Sequence, residues 1–297
     1  MIQLGIDHGN YATKSSDGMA YSSGYTVSTQ PPIGSAGDCL HYGGRYYSIG
    51  AARPPVRHDK TLDEDTFILT LPALARAIDA HGDCRDAVFT LGVGLPLMAY
   101  SEQRDRFRAY FLGRGPVDYK YNGKAYRANI ADAAVYPQGY AAYLTQYQAL
   151  SGYQDVAHID IGGYTVDIFK THDGRLVEGS ATSIPGGTIT LAKRIGAELL
   201  RYDIRISDDQ IMDAIAGRSI NHKQAARISA AAAELTAAYA RDINNILREY
   251  GIDTQAPINL IGGGAALLRH RLTDMYIVGH ADQYANARGY LQWLARD

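Results

Sequence analysis

The amino-acid sequence predicts an α/β protein made of two like-built domains, and three observations carry that expectation. An apolar run ends in an acid and a glycine turn twice: first at Leu4-Gly5-Ile6-Asp7-His8-Gly9-Asn10, then at Ile159-Asp160-Ile161-Gly162-Gly163-Tyr164-Thr165. Each opens the same order of elements, namely strand, acid-glycine turn, strand and hairpin, a repeat of architecture rather than of sequence. The chain has 297 residues, 46% hydrophobic and 20% charged, which is an ordinary globular composition with length enough for two domains.

The elements follow in order. Residues 2–7 alternate and stop at His8-Gly9-Asn10, a strand and its turn. Residues 11–60, rich in Gly, Tyr, Ser and Pro, read as short strands and loops, with a hairpin over 42–50 about Gly43-Gly44. Phe67, Leu71, Leu74, Ala75 and Ile78 give helical spacing over 65–81, and Pro72 is tolerated in a first turn. Residues 87–93 form a buried strand that stops at Gly94-Leu95-Pro96, and 101–112 form a polar helix capped by Ser101. Asn122-Gly123, a type I′ pair, turns a hairpin over 117–130. Residues 137–150 read as a helix with Pro137 in its first turn. A second half begins near 153, with a hairpin turn at His172-Asp173-Gly174. Helices are expected over 188–200, 207–216 and 222–250, the last alanine-rich and stopped by Gly251. The strand 258–261 breaks at Gly262-Gly263-Gly264 before a helical stretch over 265–269, and the last helix covers about 284–295.

Bulk properties exclude several classes of function. The formal net charge of −2 argues against a generally basic nucleic-acid binder. The two cysteines, Cys39 and Cys84, lie in no CxxC pair, so neither a disulfide framework nor a zinc site is expected, and a reducing cytoplasm is the simplest compartment. No apolar run reaches the roughly 18 residues of a membrane span. The segment Met1–Asp7 has no basic n-region, so no secretory signal is expected. The 23 tyrosines against five phenylalanines suit half-buried sheet faces and contact surfaces, or reflect lineage preference.

The chemistry concentrates at the glycine turns. Gly9 lets backbone N–H groups approach an oxyanion, because no Cβ stands in the way, and Lys14 supplies a compact positive charge. Asp160 with Gly162, Gly163 and Thr165 repeats that logic. Read singly, each is also an ordinary turn beside a strand-end acid; two in one chain can clamp a polyphosphate from both sides. Asp7 and Asp160 suit Mg2+, which needs few carboxylates when phosphate and water complete its octahedron. Gly262-Gly263-Gly264 permits flat packing against a base or sugar, or is a tight strand-to-helix turn. No GK[ST] follows it, and Gly92-Val93-Gly94-Leu95-Pro96 lacks the third glycine of a dinucleotide fingerprint. Gln138 either orients an attacking water through its amide or is a solvated first-turn residue. The nine histidines form no HExxH or HxH cluster, and no serine lies in GxSxG.

Taken in order, Asp7-x-Gly9 with Lys14, Pro137-Gln138-Gly139, Asp160 to Asp167, Pro185-Gly186-Gly187-Thr188 and Ile261 to Ala265 resemble the phosphate 1, connect 1, phosphate 2, connect 2 and adenosine motifs of the actin-like ATPase superfamily. The order spans nearly the whole chain. Within that superfamily the chain looks most like the ParM (StbA) plasmid-segregation actins. It is short, Gly94-Leu95-Pro96-Leu97 precedes a polar helix, and Gln283-Tyr284-Ala285-Asn286-Ala287-Arg288-Gly289 resembles a "PQfANvrG" segment that here lacks its proline.

The resemblance implies two ribonuclease-H-like domains flanking a nucleotide cleft, residues 1–150 with 275–297 and residues 151–274. It implies ATP or GTP with Mg2+, Asp7 and Asp160 holding the metal through water. Gly9, Asn10, Lys14, Gly162, Gly163 and Thr165 would contact phosphates, Gln138 would position the hydrolytic water, and Gly186, Gly187, Gly262, Gly263 and Gly264 would line the nucleotide. Asp167 would be structural. The implied activity is NTP hydrolysis coupled to a head-to-tail filament that moves plasmid DNA through a DNA-binding adaptor, without direct nucleic-acid or membrane binding. A non-segregating scaffold, a small-molecule kinase of the same superfamily and a nucleotide sensor that never polymerises are the alternatives. Of these, 297 residues leave little room for a kinase's insertions.

Overall fold

The structure, a computed structural model, describes residues 1–32, 38–50, 59–82 and 86–296. Cys84 lies outside the described residues. The chain separates into two compact units, Met1–Thr145 with Tyr284–Asp297, and Gln146–Gln283.

The first unit runs through β1 (Ile2–His8), β2 (Ala12–Ser15), β3 (Ala20–Ser22), β4 (Tyr25–Ser28), β5 (Cys39–Tyr42), β6 (Arg45–Ile49), α1 (Asp65–Ile68), α2 (Leu71–Ala80), β7 (Asp86–Leu95), α3 (Leu97–Leu112), β8 (Val117–Tyr121), β9 (Lys124–Pro137) and α4 (Tyr140–Leu144). The second holds α5 (Tyr147–Leu150), β10 (Asp155–Ile161), β11 (Thr165–His172), β12 (Arg175–Leu176), β13 (Thr182–Pro185), α6 (Thr188–Leu200), α7 (Asp208–Ile215), α8 (Ala225–Glu249), β14 (Ile258–Ile261), α9 (Gly262–Leu268) and β15 (Ile277–Ala281). Helix α10 (Ala285–Leu294) then belongs to the first unit again.

Both sheets share one plan. The first unit orders its strands β3-β2-β1-β7-β9 and extends them with β8-β5-β6-β4; the second orders β12-β11-β10-β14-β15, with β13 also on β11. In each, consecutive hairpins build the antiparallel side. The opening strand then takes a parallel neighbour, which takes another: β1 with β7 and β7 with β9, β10 with β14 and β14 with β15. Strand β14 and the end of β7 are covered on both faces: all four residues of β14 are buried, and so are the last five of β7.

Helix α10 lies unusually close to the first sheet because glycines make room for it. A Cβ on Gly5 would overlap the carbonyl oxygen of Ala287, one on Gly92 would stand 2.8 Å from the Tyr290 Cβ, and one on Gly94 would overlap the Tyr290 ring. On the helix side, a Cβ on Gly289 would overlap the Ala141 carbonyl. Tyr290 is fully buried there, its ring stacked 6.0 Å from that of Tyr136.

Local chemistry sets the turns as expected. Gly43-Gly44, Asn122-Gly123 and Asp173-Gly174 all take positive φ at both positions, the type I′ geometry that matches strand twist. Gly251, at φ 69°, ends α8 in a Schellman motif: its N–H donates to Arg248 O at 3.0 Å, and that of Ile252 to Leu247 O at 2.9 Å.

Four elements differ from the expectation. Helix α3 starts at Leu97, with Pro96 as its N-cap at φ −50°, ψ 140°, so Ser101 is interior to the helix and caps nothing. Pro137 closes β9, paired with Leu95 of β7, and the expected helix over 137–150 is the two short helices α4 and α5. The stretch 65–81 is likewise α1 and α2, separated by Leu69 and Thr70. Strand β15 carries no sequence signal of its own, because Gly279 interrupts it; that glycine leaves space for the Asn259 side chain, which a Cβ would approach to 2.6 Å.

Each unit also buries a neutral histidine. His8 sits against the Phe107 and Phe111 rings with Nε2 2.8 Å from Thr70 Oγ1; burial, then the charge of Lys60, pushes its pKa down to about 3. His158 stacks on Phe169 at 4.5 Å with Nε2 2.9 Å from Thr171 Oγ1, and burial pushes it down to about 3. Both folded values lie below the ordinary 6.5. The unfolded chain therefore protonates first, so stability is full above pH 6.5 and is lost as pH falls toward 3, by about 1.4 kcal/mol per pH unit for each ring. Urea midpoints should stay level from about pH 8 to 7 and fall steeply from about pH 6 to 4.5. A flat profile across that range would mean that both rings accept protons in the folded state.

Candidate functional site

The expected site residues fall into two groups, one in each unit. In the first, Asp7 stands at the carboxyl end of β1, where open α/β sheets meet their ligands. It is 4% exposed. The β1–β2 hairpin sets Lys14 directly across from it, and Lys14 Nζ reaches Asp7 Oδ2 at 3.3 Å. The other oxygen, Oδ1, accepts from Gln138 Nε2 at 2.8 Å. A carboxylate only accepts, so this bond fixes the amide: nitrogen toward Asp7, carbonyl oxygen turned away as an acceptor. Gly9 makes the cradle beside them, since a Cβ there would lie 2.8 Å from Ala12 O and 3.1 Å from Lys14 Nζ. Asn10 is exposed in the same turn.

Gln138 owes its place to backbone contacts on both sides. Its N–H donates to Leu95 O at 2.8 Å, its carbonyl accepts from Tyr140 N at 2.8 Å, and the N–H of Gly139 donates to Asn286 Oδ1 at 2.8 Å. Gly139 adopts φ 73°, ψ −55°, which only glycine takes without strain.

In the second unit Asp160, next to last in β10, lies directly opposite Asp167 of β11. The Gly162–Thr165 turn is closed by Gly162 N donating to Thr165 O at 2.9 Å, and Thr165 Oγ1 donates to Asp167 Oδ2 at 3.0 Å. The start of α6 props this turn. Thr188 N donates to Gly162 O at 3.0 Å and Ile189 N to Gly163 O at 2.8 Å, while Gly186 N and Gly187 N both reach Tyr164 O, at 3.0 and 2.9 Å. A Cβ on Gly187 would come within 2.5 Å of Gly162 O. Gly186 and Gly187 thus use their amides to hold the hairpin.

Helix α9 begins against the same acid. Gly262, at φ 90°, is the residue whose Cβ would overlap Asp160 Oδ1, and a Cβ on Gly264 would come within 2.5 Å of Ile161 O. Gly263 is the open member, with Gln283 Cβ at 3.5 Å from its would-be Cβ.

The first group thus brings together Asp7, Gly9, Lys14 and Gln138, with Asn10 at its rim, and the second Asp160, Gly162, Gly163, Thr165, Gly186, Gly187 and Gly262 to Gly264. Among the described residues no three metal-type side chains cluster. Each unit offers one strand-end carboxylate, Asp7 in the first and Asp160 in the second, a ligand type that suits magnesium when phosphate and water supply the rest of its octahedron. Sequence reasoning gave no role to Asn286, or to Asp167 as the acceptor of the Thr165 hydroxyl. The signal for Asn286 was local: a poor helix former in a first turn, three residues before a glycine, marks a polar contact at a close packing.

Two family models match in succession: actin-like proteins, N-terminal domain, over residues 5–140, and the archaeal actin homologue MreB-like C-terminal domain over residues 158–274. No curated protein matches the sequence. Among solved structures, the chain is similar to Ta0583, an archaeal actin homologue in complex with ADP, with 18% identity and a TM-score of 0.79 over 100% of both chains. It is similar to the actin-like protein Alp7A at 16% identity and a TM-score of 0.76, over 99% of this chain and 96% of that one. A third likeness is to the protein of a 15-stranded ParM filament from Clostridium botulinum, at 18% identity and a TM-score of 0.76 over 99% of each chain. With a strand-end acid and glycine turn in each unit, the same five-strand plan twice, and actin-like models matching one half after the other, the chain belongs to the actin-like protein family.

Proposed function

We propose that this actin-like protein is a polymerising NTPase, which binds ATP or GTP with Mg2+, assembles head to tail and hydrolyses the nucleotide to turn the filament over. The observation that carries this reading is the acid-glycine group built twice, one copy holding the Gln138 amide on Asp7. Support comes also from the likeness to an actin homologue in complex with ADP and to the protein of a ParM filament.

In this reading the two groups act on one nucleotide. Lys14 and the backbone at Gly9, with Asn10, meet the phosphates from one unit, and Gly162, Gly163 and Thr165 meet them from the other. Asp7 and Asp160 would hold Mg2+ through water, and the metal would supply positive charge to offset the negative charge developing on the phosphates. Gln138 Oε1, turned away from Asp7, accepts a hydrogen bond from the attacking water and aims its lone pair at phosphorus. Gly263 and Gly264 flank the base and sugar, with Gly262 turning the chain beside Asp160. Gly186 and Gly187 act by holding the Gly162–Thr165 turn in shape. Contacts between unlike faces of successive copies give an open filament when their rotation does not close. Loss of the terminal phosphate removes contacts that favour the assembled form.

The filament's work, in this proposal, is to separate plasmid copies in the cytoplasm through a DNA-binding adaptor bound at the plasmid centromere. A chain of net charge −2 then has no need to grip DNA itself. No helix among the described residues is long and apolar enough to cross a membrane. The test is sedimentation and electron microscopy with ATP, GTP or no nucleotide, alongside phosphate release. Polymer that forms with nucleotide and decays as phosphate appears is expected; no sedimentable polymer with either nucleotide would sink the reading.

A further inference from the structure

We infer that Asn286, on the C-terminal helix α10, is the positioning residue that aims Gln138 for hydrolysis; the inference rests on the NTPase reading above. Asn286 is 147 residues from Gly139 in sequence, and is 8% exposed. Its Oδ1 nevertheless accepts the Gly139 N–H at 2.8 Å.

The contact matters because of where Gly139 sits. The polypeptide leaves β9 at Pro137, and two residues later passes through φ 73°, ψ −55° before α4 begins. Pro137 has no N–H, and the flanking backbone bonds, Gln138 N to Leu95 O and Tyr140 N to Gln138 O, hold the residue on either side of Gly139. The Gly139 amide is the one fixed by a side chain. Without that acceptor, a buried donor must find another partner, and the turn moves to supply one. Gln138 is part of the turn that moves, and its side chain swings with it.

Helix α10 is also seated to act as a ruler. Ala287, the residue after Asn286, packs on Gly5, two residues before Asp7; Gly289 packs on Ala141, two residues after Gly139. One helical turn therefore touches both the strand that carries Asp7 and the helix that follows Gln138. All of these approaches are backbone to backbone at glycines, which leaves little give. The 2.8 Å bond from Gln138 Nε2 to Asp7 Oδ1 is the outcome: it sets the amide's polarity and leaves Oε1 to face the water. Asn286 touches neither nucleotide nor water in this scheme, and its effect passes through Gln138.

The experiment compares wild type, Asn286→Ala, Asn286→Asp, Gln138→Ala and the double variant Asn286→Ala with Gln138→Ala. Phosphate release from ATP is measured per sedimented protomer, nucleotide affinity with a fluorescent ATP analogue, and folding by thermal melting. Asn286→Ala is expected to lower kcat by about 10-fold to 100-fold, as misplacement of a reacting group by roughly an ångström does. Its nucleotide affinity should stay within about 2-fold of wild type, because Asp7, Lys14 and Gly9 are untouched. Asn286→Asp keeps an acceptor in a helix first turn, where negative charge is favoured, and should restore most of the rate. The double variant should be no slower than Gln138→Ala alone.

A wild-type rate in Asn286→Ala, failure of Asn286→Asp to recover, or additive losses in the double variant would each overturn the inference while leaving the NTPase reading in place. Should Asn286→Ala fail to fold, Asn286→Gln decides: its carbonyl is one methylene out of register, so a reduced kcat supports the inference and a wild-type kcat overturns it. A wild-type protein that releases no phosphate from ATP or GTP would overturn the reading itself, and the inference with it.

Discussion

Asp160→Ala is expected to lower nucleotide hydrolysis by on the order of 100-fold or more while leaving the protein folded. Asp160 is next to last in the central strand of its sheet, beside the Gly162–Thr165 turn, with Gly262 making room for its Oδ1. In the proposed mechanism it is one of only two carboxylates for the metal, so its loss removes charge that no neighbour in that unit is placed to replace. The alternative acid, Asp167, receives the Thr165 hydroxyl at 3.0 Å and would have to release it to serve. Asp160 and Asp167 also face each other across the antiparallel pair, and like charges so placed oppose folding by up to about 1 kcal/mol. The nucleotide-free variant should therefore melt within about 5 °C of wild type. Loss of activity with no loss of stability is the signature of a functional acid. Hydrolysis at the wild-type rate would remove Asp160 from the site, and a melting temperature lowered by about 5 °C or more would make its role structural.

What the sequence made legible, and what it hid, divides along the range of the forces involved. The strand-end acids, the type I′ pairs and the Gly251 stop are set within a few residues, by side-chain alternation and by backbone that glycine or asparagine can adopt, so their identities announce them. The fate of Pro137 is set by a partner elsewhere. Pro137 reads locally as a helix opener, but β7 pairs with β9 as far as Leu95 and Pro137, and that pairing holds the strand to its last residue. Gly186 and Gly187 illustrate the same limit at the site. A Pro-Gly-Gly-Thr run reads as a ligand loop, and nothing local tells that its amides also hold Tyr164 O and that its missing Cβ admits the Gly162–Gly163 backbone. The local pattern marks Asn286 as a polar contact, but its partner, 147 residues away, is not legible from it.

Gly5→Val is expected to be the most destabilising single change in the first unit, by about 3 kcal/mol or more. The new Cβ would overlap the Ala287 carbonyl oxygen and lie 3.0 Å from its carbon and 3.1 Å from Leu291 N. These are backbone atoms of α10, so no rotamer change relieves the clash; either β1 or α10 must shift. If α10 shifts, Tyr290 loses its close packing on Gly92 and Gly94, and Gly289 leaves Ala141. If β1 shifts, its parallel pairing with β7, in register from Ile2 with Phe89 to Ile6 with Val93, is disturbed. Gly152→Val is the control, because a Cβ there meets nothing within 4 Å and its backbone needs no positive φ. Thermal melting should show Gly5→Val lowered by about 8 °C or more and Gly152→Val within about 2 °C of wild type. The folded fraction of Gly5→Val should also hydrolyse nucleotide more slowly, since the same helix spaces Asp7 from Gln138. Equal melting of the two variants would show that α10 does not sit on Gly5 as described, and that the C-terminal helix sets nothing at the site.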